Sequence, residues 1–164
     1  MSGANTFESV PARRWLWLSL LVIALDQASK HWASKALADS LWVLLDVLNL
    51  RLAHNTGAAF SFLSGAGGWQ TAFFVVLALA VSLWLGLWLW RLHEGSWPLR
   101  AGLALVLGGA LGNVIDRLRF GYVVDFIDLH WKQWHWPVFN LADSAITVGV
   151  ALLLWDNLRP ERRA

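Results

Sequence analysis

Two carboxylates carry the chemistry this chain could do. Asp125 sits in the apolar run Val123-Val124-Asp125-Phe126-Ile127, and Asp143 closes the run Phe139-Asn140-Leu141-Ala142-Asp143. Two carboxyl groups held close together in a partly dehydrated place cannot both ionise easily, so one pKa rises and the pair shares a proton. The ionised member can take a proton from water while the protonated member polarises a scissile carbonyl, which is aspartic-peptidase chemistry and needs neither metal nor cofactor. Taken singly, each carboxylate has a plainer reading. Asp143 would cap a helix, with Asn140 as N-cap, and Asp125, like Asp128, would be a solvent-facing strand residue. Spacing alone does not bring the two together.

Other chemistries are less well supplied. With no Cys in the chain there is no disulfide, thiolate metal site or cysteine nucleophile. His130 and His135 lie near Asp128 but match no metal-ligand spacing, and beside Trp131, Trp134 and Trp136 they read as boundary residues. Ser29, Ser34 and Ser144 lack a well-placed base other than Lys30. Asp26 and Lys30, four apart on one helical face, form an expected ion pair. Asn113, Asp116 and Arg117 fall on one side of a helix, where Asp116 and Arg117 are expected to hold loops down. In the same stretch Gly108 and Gly112 form a small-xxx-small face for close helix approach.

These groups must be positioned by elements built largely for lipid. Of 164 residues 57% are hydrophobic and 15% charged, which excludes disorder and points away from a water-soluble globule. Thirteen Trp suit the water–lipid boundary, and a net charge of +2 with scattered basic residues excludes nucleic acid as a partner. A spanning helix needs about 20 apolar residues, and four segments qualify: about 15–33, 69–90, 99–115 and 142–158. The first resembles a cleavable signal peptide, but Asp26 and Lys30 and the spans that follow favour a retained helix. Arg13, Arg14, Arg91, Arg100, Arg159, Arg162 and Arg163 concentrate on one side, which places both termini in the cytoplasm. The outer segments, about 34–68 and 117–140, then share the opposite face. Alternation from Tyr122 to Trp131 and around residues 42–52 predicts short strands there, Pro98 suits a helix start, and no linker divides the chain. The fold class is an all-α membrane protein with a small β element, in one domain over residues 1–164.

Five blocks stand in order along the chain: Asp26-Gln27-Ala28-Ser29-Lys30, Asn55-Thr56-Gly57-Ala58-Ala59-Phe60, Gly108 to Arg117, Val123-Val124-Asp125-Phe126, and Phe139 to Asp143. With these the chain resembles the bacterial lipoprotein signal peptidases (signal peptidase II). The resemblance implies an intramembrane aspartic endopeptidase of the bacterial cytoplasmic (inner) membrane that works as a monomer among membrane lipids. Its substrates would be diacylglyceryl-modified prolipoproteins, cut just before the lipid-bearing Cys. Asp125 and Asp143 would be the catalytic pair, with Asn55, Asn113, Arg117 and Asn140, together with Asp26, Lys30 and Asp116, as polar support, and with no metal or cofactor. The fold implied is four transmembrane helices, an extracytoplasmic β-cradle and a short covering helix near residues 55–63, with Gly57 and Gly65 as hinges. Two rival classes remain in view. One is a transporter using Asp26, Lys30, Asp116 and Asp143 as an ion path, although the chain has no inverted repeat. The other is a lipoprotein-binding protein with the same cradle and no catalysis.

Overall fold

A computed structural model describes residues 11–57, 69–93 and 95–158. Four long helices dominate: α1 (Leu16–Ala36), preceded by a 3-10 turn over Ala12–Trp15, α2 (Trp69–Arg91), α3 (Trp97–Phe120) and α4 (Leu141–Leu158). A four-stranded antiparallel sheet, β1 (Trp42–Leu45), β2 (Leu48–Asn55), β3 (Val123–Trp131) and β4 (Trp134–His135), joins them in the order β1-β2-β3-β4. The chain is therefore mostly helical with a small antiparallel sheet. The anticipated covering helix and the Gly65 hinge lie outside the described residues.

Among the described residues three helices are long and apolar enough to cross a membrane: Thr71–Arg91, Trp97–Phe120 and Leu141–Leu158. α1 has the length, but Asp26, Lys30 and Lys35 interrupt its apolar sequence. Burial tells α3 apart from the others. Two-thirds of its apolar window is buried, against 17% for α2 and α4, because α3 packs on α1, α2 and α4 at once. α2 turns Phe73, Val76, Leu83 and Trp84 outward, an apolar surface suited to lipid and not to water. Exposed Trp17, Trp90, Trp97 and Trp155 stand at helix ends on one side of the bundle, whereas Trp131, Trp134 and Trp136 belong to the sheet region. Such belts place the indole N–H in the interface and the ring in lipid.

Glycines set the spacing around α3. A Cβ on Gly108 would meet the Ser19 carbonyl oxygen of α1 at 2.8 Å. One on Gly109 would fall on the Ala142 carbonyl oxygen and reach Ile146 Cγ1 at 2.8 Å. A Cβ on Gly112 would meet Asp26 Oδ2 at 2.6 Å, so its bare Cα makes room for a carboxylate between α1 and α3. Gly109→Ala is expected to destabilise the protein by about 1–3 kcal/mol through overpacking. Gly86→Ala, whose new methyl would meet nothing closer than Leu107 Cδ2 at 3.9 Å, should be neutral or mildly stabilising. Thermal unfolding in detergent separates the two.

The ends of α3 differ from the sequence expectation. Ser96 caps the N-terminus by accepting from Leu99 N–H, Pro98 lies in the first turn, and the Ser96 hydroxyl also bonds Asp156 of α4. The helix continues past residue 115 to Phe120 and carries Asp116 and Arg117, as their one-sided spacing with Asn113 implied. Gly121 ends it with φ +81° and a bond from its N–H to the Arg117 carbonyl at 3.0 Å. A left-handed residue there costs glycine nothing and turns the chain directly into β3.

Candidate active site

β3 is anchored on both sides of Asp125. Asp116, one turn before the end of α3, accepts from Val124 N–H at 3.1 Å. On the other side Phe139 bridges to Ile127, with Phe139 N–H to Ile127 O at 3.0 Å and Ile127 N–H to Phe139 O at 2.8 Å. The segment that enters α4 is thus stitched to the strand bearing Asp125, and one residue later Asn140 begins the cap. Asn140 Oδ1 accepts from Asp143 N–H at 2.9 Å while Asp143 Oδ2 accepts from Asn140 N–H at 3.2 Å. This is a reciprocal capping box. The plain capping role anticipated for Asp143 is present, and it leaves Oδ1 for another partner.

The solvent-facing reading of Asp125 is overturned. Its residue surface is 2% exposed and that of Asp128 is 0%, because the sheet curls so that both carboxylates meet side chains from neighbouring elements. Asp125 Oδ1 accepts from Asn140 Nδ2 at 2.6 Å, and Oδ2 accepts from Asn55 Nδ2 of β2 at 3.2 Å. Burial, with Asp143 close enough to repel its negative form, pushes the Asp125 carboxyl up to about 7 against the opposing amide hydrogen bonds. Asp128 instead pairs with Arg51 Nε at 2.8 Å and His135 Nδ1 at 2.8 Å. Burial alone would raise its pKa, but those partners outweigh it and hold the carboxyl below the ordinary value.

Behind the carboxylates lies a buried polar chain. Lys30 Nζ, 3% exposed, is 2.9 Å from Asp26 Oδ2, 2.9 Å from Asp116 Oδ2 and 2.9 Å from Asn113 Oδ1. An ammonium can only donate, so the Asn113 amide must turn its oxygen toward Lys30 and its NH2 away from it. That NH2 donates to Asp143 Oδ1 at 2.8 Å. Lys30 thereby fixes the orientation of a group that touches Asp143, without touching Asp143 itself. Asp26 Oδ1 also accepts from Ala142 N–H at 3.0 Å, which ties α1 to the start of α4. Arg117 donates to the Gly57 carbonyl at 2.8 Å, and Gly57 N–H donates to Asn55 Oδ1 at 3.0 Å, so Asn55 too is oriented with its NH2 toward Asp125.

All nine residues singled out from the sequence therefore belong to one connected region. Asn55, Asn113, Arg117, Asp125 and Asp143 border a single cavity of about 1160 Å³. Asn140, Asp26, Lys30 and Asp116 stand behind its wall. Sequence reasoning missed three contributors. Gln27 donates to Asp116 Oδ1 at 2.8 Å and to Asp26 Oδ2 at 3.3 Å; its place beside Asp26 in the first block was the available signal. Arg51 and His135 line the cavity from the sheet; no local pattern marked Arg51, and His135, close to Asp128 in sequence, was read as a boundary residue. His130 stacks on His135 with ring centroids 5.1 Å apart.

Four carboxylate oxygens thus receive neutral amide and backbone donors, and among the described residues no cation touches either acid. Such a setting suits a shared proton, since a directly bound cation would force both groups to ionise. With the comparisons to known proteins, the helical frame and its small sheet are those of a membrane-embedded aspartic peptidase. Residues 18–159 match the family model described as Signal peptidase (SPase) II, and the chain belongs to the signal peptidase II family. A lipoprotein signal peptidase of Coxiella burnetii (strain Dugway 5J108-111) is 53% identical over 150 residues, covering 91% of this chain and 92% of that protein. One from Pseudomonas aeruginosa is 50% identical over 165 residues, covering 99% and 96%. A bacterial membrane enzyme structure obtained by the in meso method at 2.3 Å superposes with TM-score 0.77 at 30% identity, over 92% of this chain and 93% of that one.

Proposed function

We propose that this chain removes the signal peptide from diacylglyceryl-modified prolipoproteins, cutting just before the lipid-bearing Cys, with Asp125 and Asp143 as the water-activating pair. The observation that carries the mechanism is the amide cage: Asn55, Asn140 and Asn113 hold the two acids at one cavity without neutralising them. Asp125, the more deeply buried, holds the shared proton. Asp143, half-buried at the start of α4 and accepting the Asn140 N–H, is the base of the pair. Asp143 takes a proton from water, the water oxygen bonds to the scissile carbonyl carbon, and Asp125 donates its proton to the developing oxyanion. Collapse of the tetrahedral intermediate breaks the C–N bond: one of its two hydroxyl protons returns to Asp125 as the carboxyl product forms, and the proton held by Asp143 passes to the leaving amine of the lipidated Cys. Asn55, Asn113, Asn140, Arg117, Asp116, Asp26 and Lys30 are positioning residues.

The same reading supplies the setting. All four helices span the bacterial cytoplasmic membrane with both termini inside, the sheet and cavity lie at the outer face, and residues 1–164 act as one domain and as a monomer. A lipid-anchored peptide then presents its cut site at the height of the cavity. Ile146 and Val148 of α4, which line that cavity, offer an apolar wall continuous with lipid for the acyl chains.

The test is cleavage of a synthetic diacylglyceryl prolipoprotein by purified protein in detergent with chelator present. Cutting next to the lipidated Cys is the expected result; no cutting, or loss of cutting with chelator, would sink the proposal. The pH profile provides a second check. A carboxyl raised to about 7 carries its proton below that pH and loses it above. The rate is therefore expected to fall as pH rises through about 7, and a kcat flat to pH 9 would move the shared proton off Asp125.

A further inference from the structure

The cavity continues away from the carboxylates along β2. Asn55, Ala53 and Arg51 of that strand all line it, as does His135 from β4. Asn55 touches Asp125, and β2 carries a register shift between Leu50 and Ala53, so Arg51 lies roughly 10–13 Å from Asn55 along the sheet. Its side chain is 39% exposed although Asp128 grips it through Nε at 2.8 Å. Asp128 is itself 0% exposed and fixed a second time by His135 Nδ1 at 2.8 Å. The guanidinium is therefore held in one place at the cavity wall, and the forked end opposite Nε is the part suited to a bidentate acceptor. Asp128 is the acid nearest to it, and Asp128 already has two partners. Asp46, on the β1–β2 turn, does not line the cavity.

We infer that Arg51 is a specificity-determining residue that favours substrates with an acidic side chain three to five residues beyond the cut, on the mature side. This rests on the function proposed above. An extended peptide covers about 3.3–3.6 Å per residue, so a chain whose scissile bond sits at Asp125 and Asp143 reaches Arg51 after about four residues. The side of the cut follows from polarity. The signal peptide is apolar and returns into lipid, whereas the mature segment leaves toward water, where the sheet is. A carboxylate at that position gains a charge-assisted pair with a cation that is already ordered and only partly desolvated. An effect on the order of five-fold in kcat/KM is expected, in KM more than in kcat.

The experiment scans Glu, Gln and Lys through the second to sixth mature positions of a synthetic lipidated peptide, cut by wild type, Arg51→Gln and Arg51→Lys. Wild type is expected to prefer Glu over Gln, and Gln over Lys, within the third to fifth positions only. Arg51→Gln should bring the Glu-to-Gln ratio of kcat/KM near one, and Arg51→Lys should restore part of it. A wild-type ratio near one at every position overturns the inference without any variant, and leaves the peptidase reading intact. A preference that persists in Arg51→Gln overturns it too, by assigning the selection to another residue. If wild type cuts no lipidated peptide at all, the function proposed above fails, and this inference with it.

Discussion

Asp125→Asn and Asp143→Asn are each expected to lower prolipoprotein cleavage by about 10³-fold or more while leaving a folded protein that still binds substrate. The replacement keeps the shape and removes the proton exchange. In both acids each oxygen accepts a hydrogen bond: Asp125 from Asn140 and Asn55, Asp143 from Asn113 and the Asn140 N–H. An introduced amide must therefore face one donor with another, at a cost of about 1–3 kcal/mol. Neither Asn113 nor Asn55 is free to turn over and relieve the conflict, since Lys30 pins the oxygen of one and Gly57 N–H that of the other. Modest destabilisation with near-complete loss of turnover is the expected signature. The double variant should be little slower than either single one, because the two acids act as a unit. Equal loss of binding and of turnover would give the acids a role in holding substrate, binding without any wild-type cleavage would point to a non-catalytic binding protein, and full retention of cleavage would remove the pair from the mechanism altogether. Activity per folded molecule, with melting curves and substrate binding measured beside it, distinguishes these outcomes.

Much of this site was legible because its parts obey local periodicities. A spacing of four puts Asp26 and Lys30 on one helical face, three residues separate the members of the Asn140–Asp143 box, and Gly108 and Gly112 repeat every fourth residue where α3 meets α1. What local spacing could not supply was the long-range closure. Asp125 looked like a strand residue facing water, since nothing within a few positions tells that Phe139 folds back onto Ile127 or that Asn55, 70 residues earlier, supplies a donor. The end of α3 was set too early for a related reason. Arg117 and Arg119 look like the start of a polar outer segment although Asp116 and Arg117 continue the helical face of Asn113; Asp116 is 1% exposed and satisfied by Lys30, so the helix can carry its charges a further turn before Gly121 stops it. Arg51 left no trace, and His135, noted beside Asp128, read only as a boundary residue, because Asp128 reaches its partners across strands and its burial depends on the sheet as a whole.

Lys30→Met carries the second large expectation, and it falls on stability first. The side chain is nearly isosteric in its stem, so packing between α1 and α3 is kept while the one positive charge between Asp26 and Asp116 is lost. Both of these carboxylates are buried, at 0% and 1% exposure. Removing one partner from a buried ion pair costs about 3–5 kcal/mol, since what remains is an uncompensated charge, and here two carboxylates are left facing each other. Asp26→Asn should cost less, because Lys30 would keep Asp116 and Asn113 as partners. The order of unfolding temperatures in detergent is therefore wild type, then Asp26→Asn, then Lys30→Met. The activity of the folded fraction separates an ion pair that only braces the helices from one that also orients the acids. Without Lys30 the Asn113 amide can turn over, presenting its oxygen to Asp143 and repelling the ionised carboxylate it now serves. Folded Lys30→Met is thus expected to lose turnover at unchanged substrate binding. If it turned over at the wild-type rate once folded, Lys30 would be a structural brace alone, and the orientation of Asn113 would have to come from Asn140, whose Nδ2 lies 3.2 Å from the same oxygen.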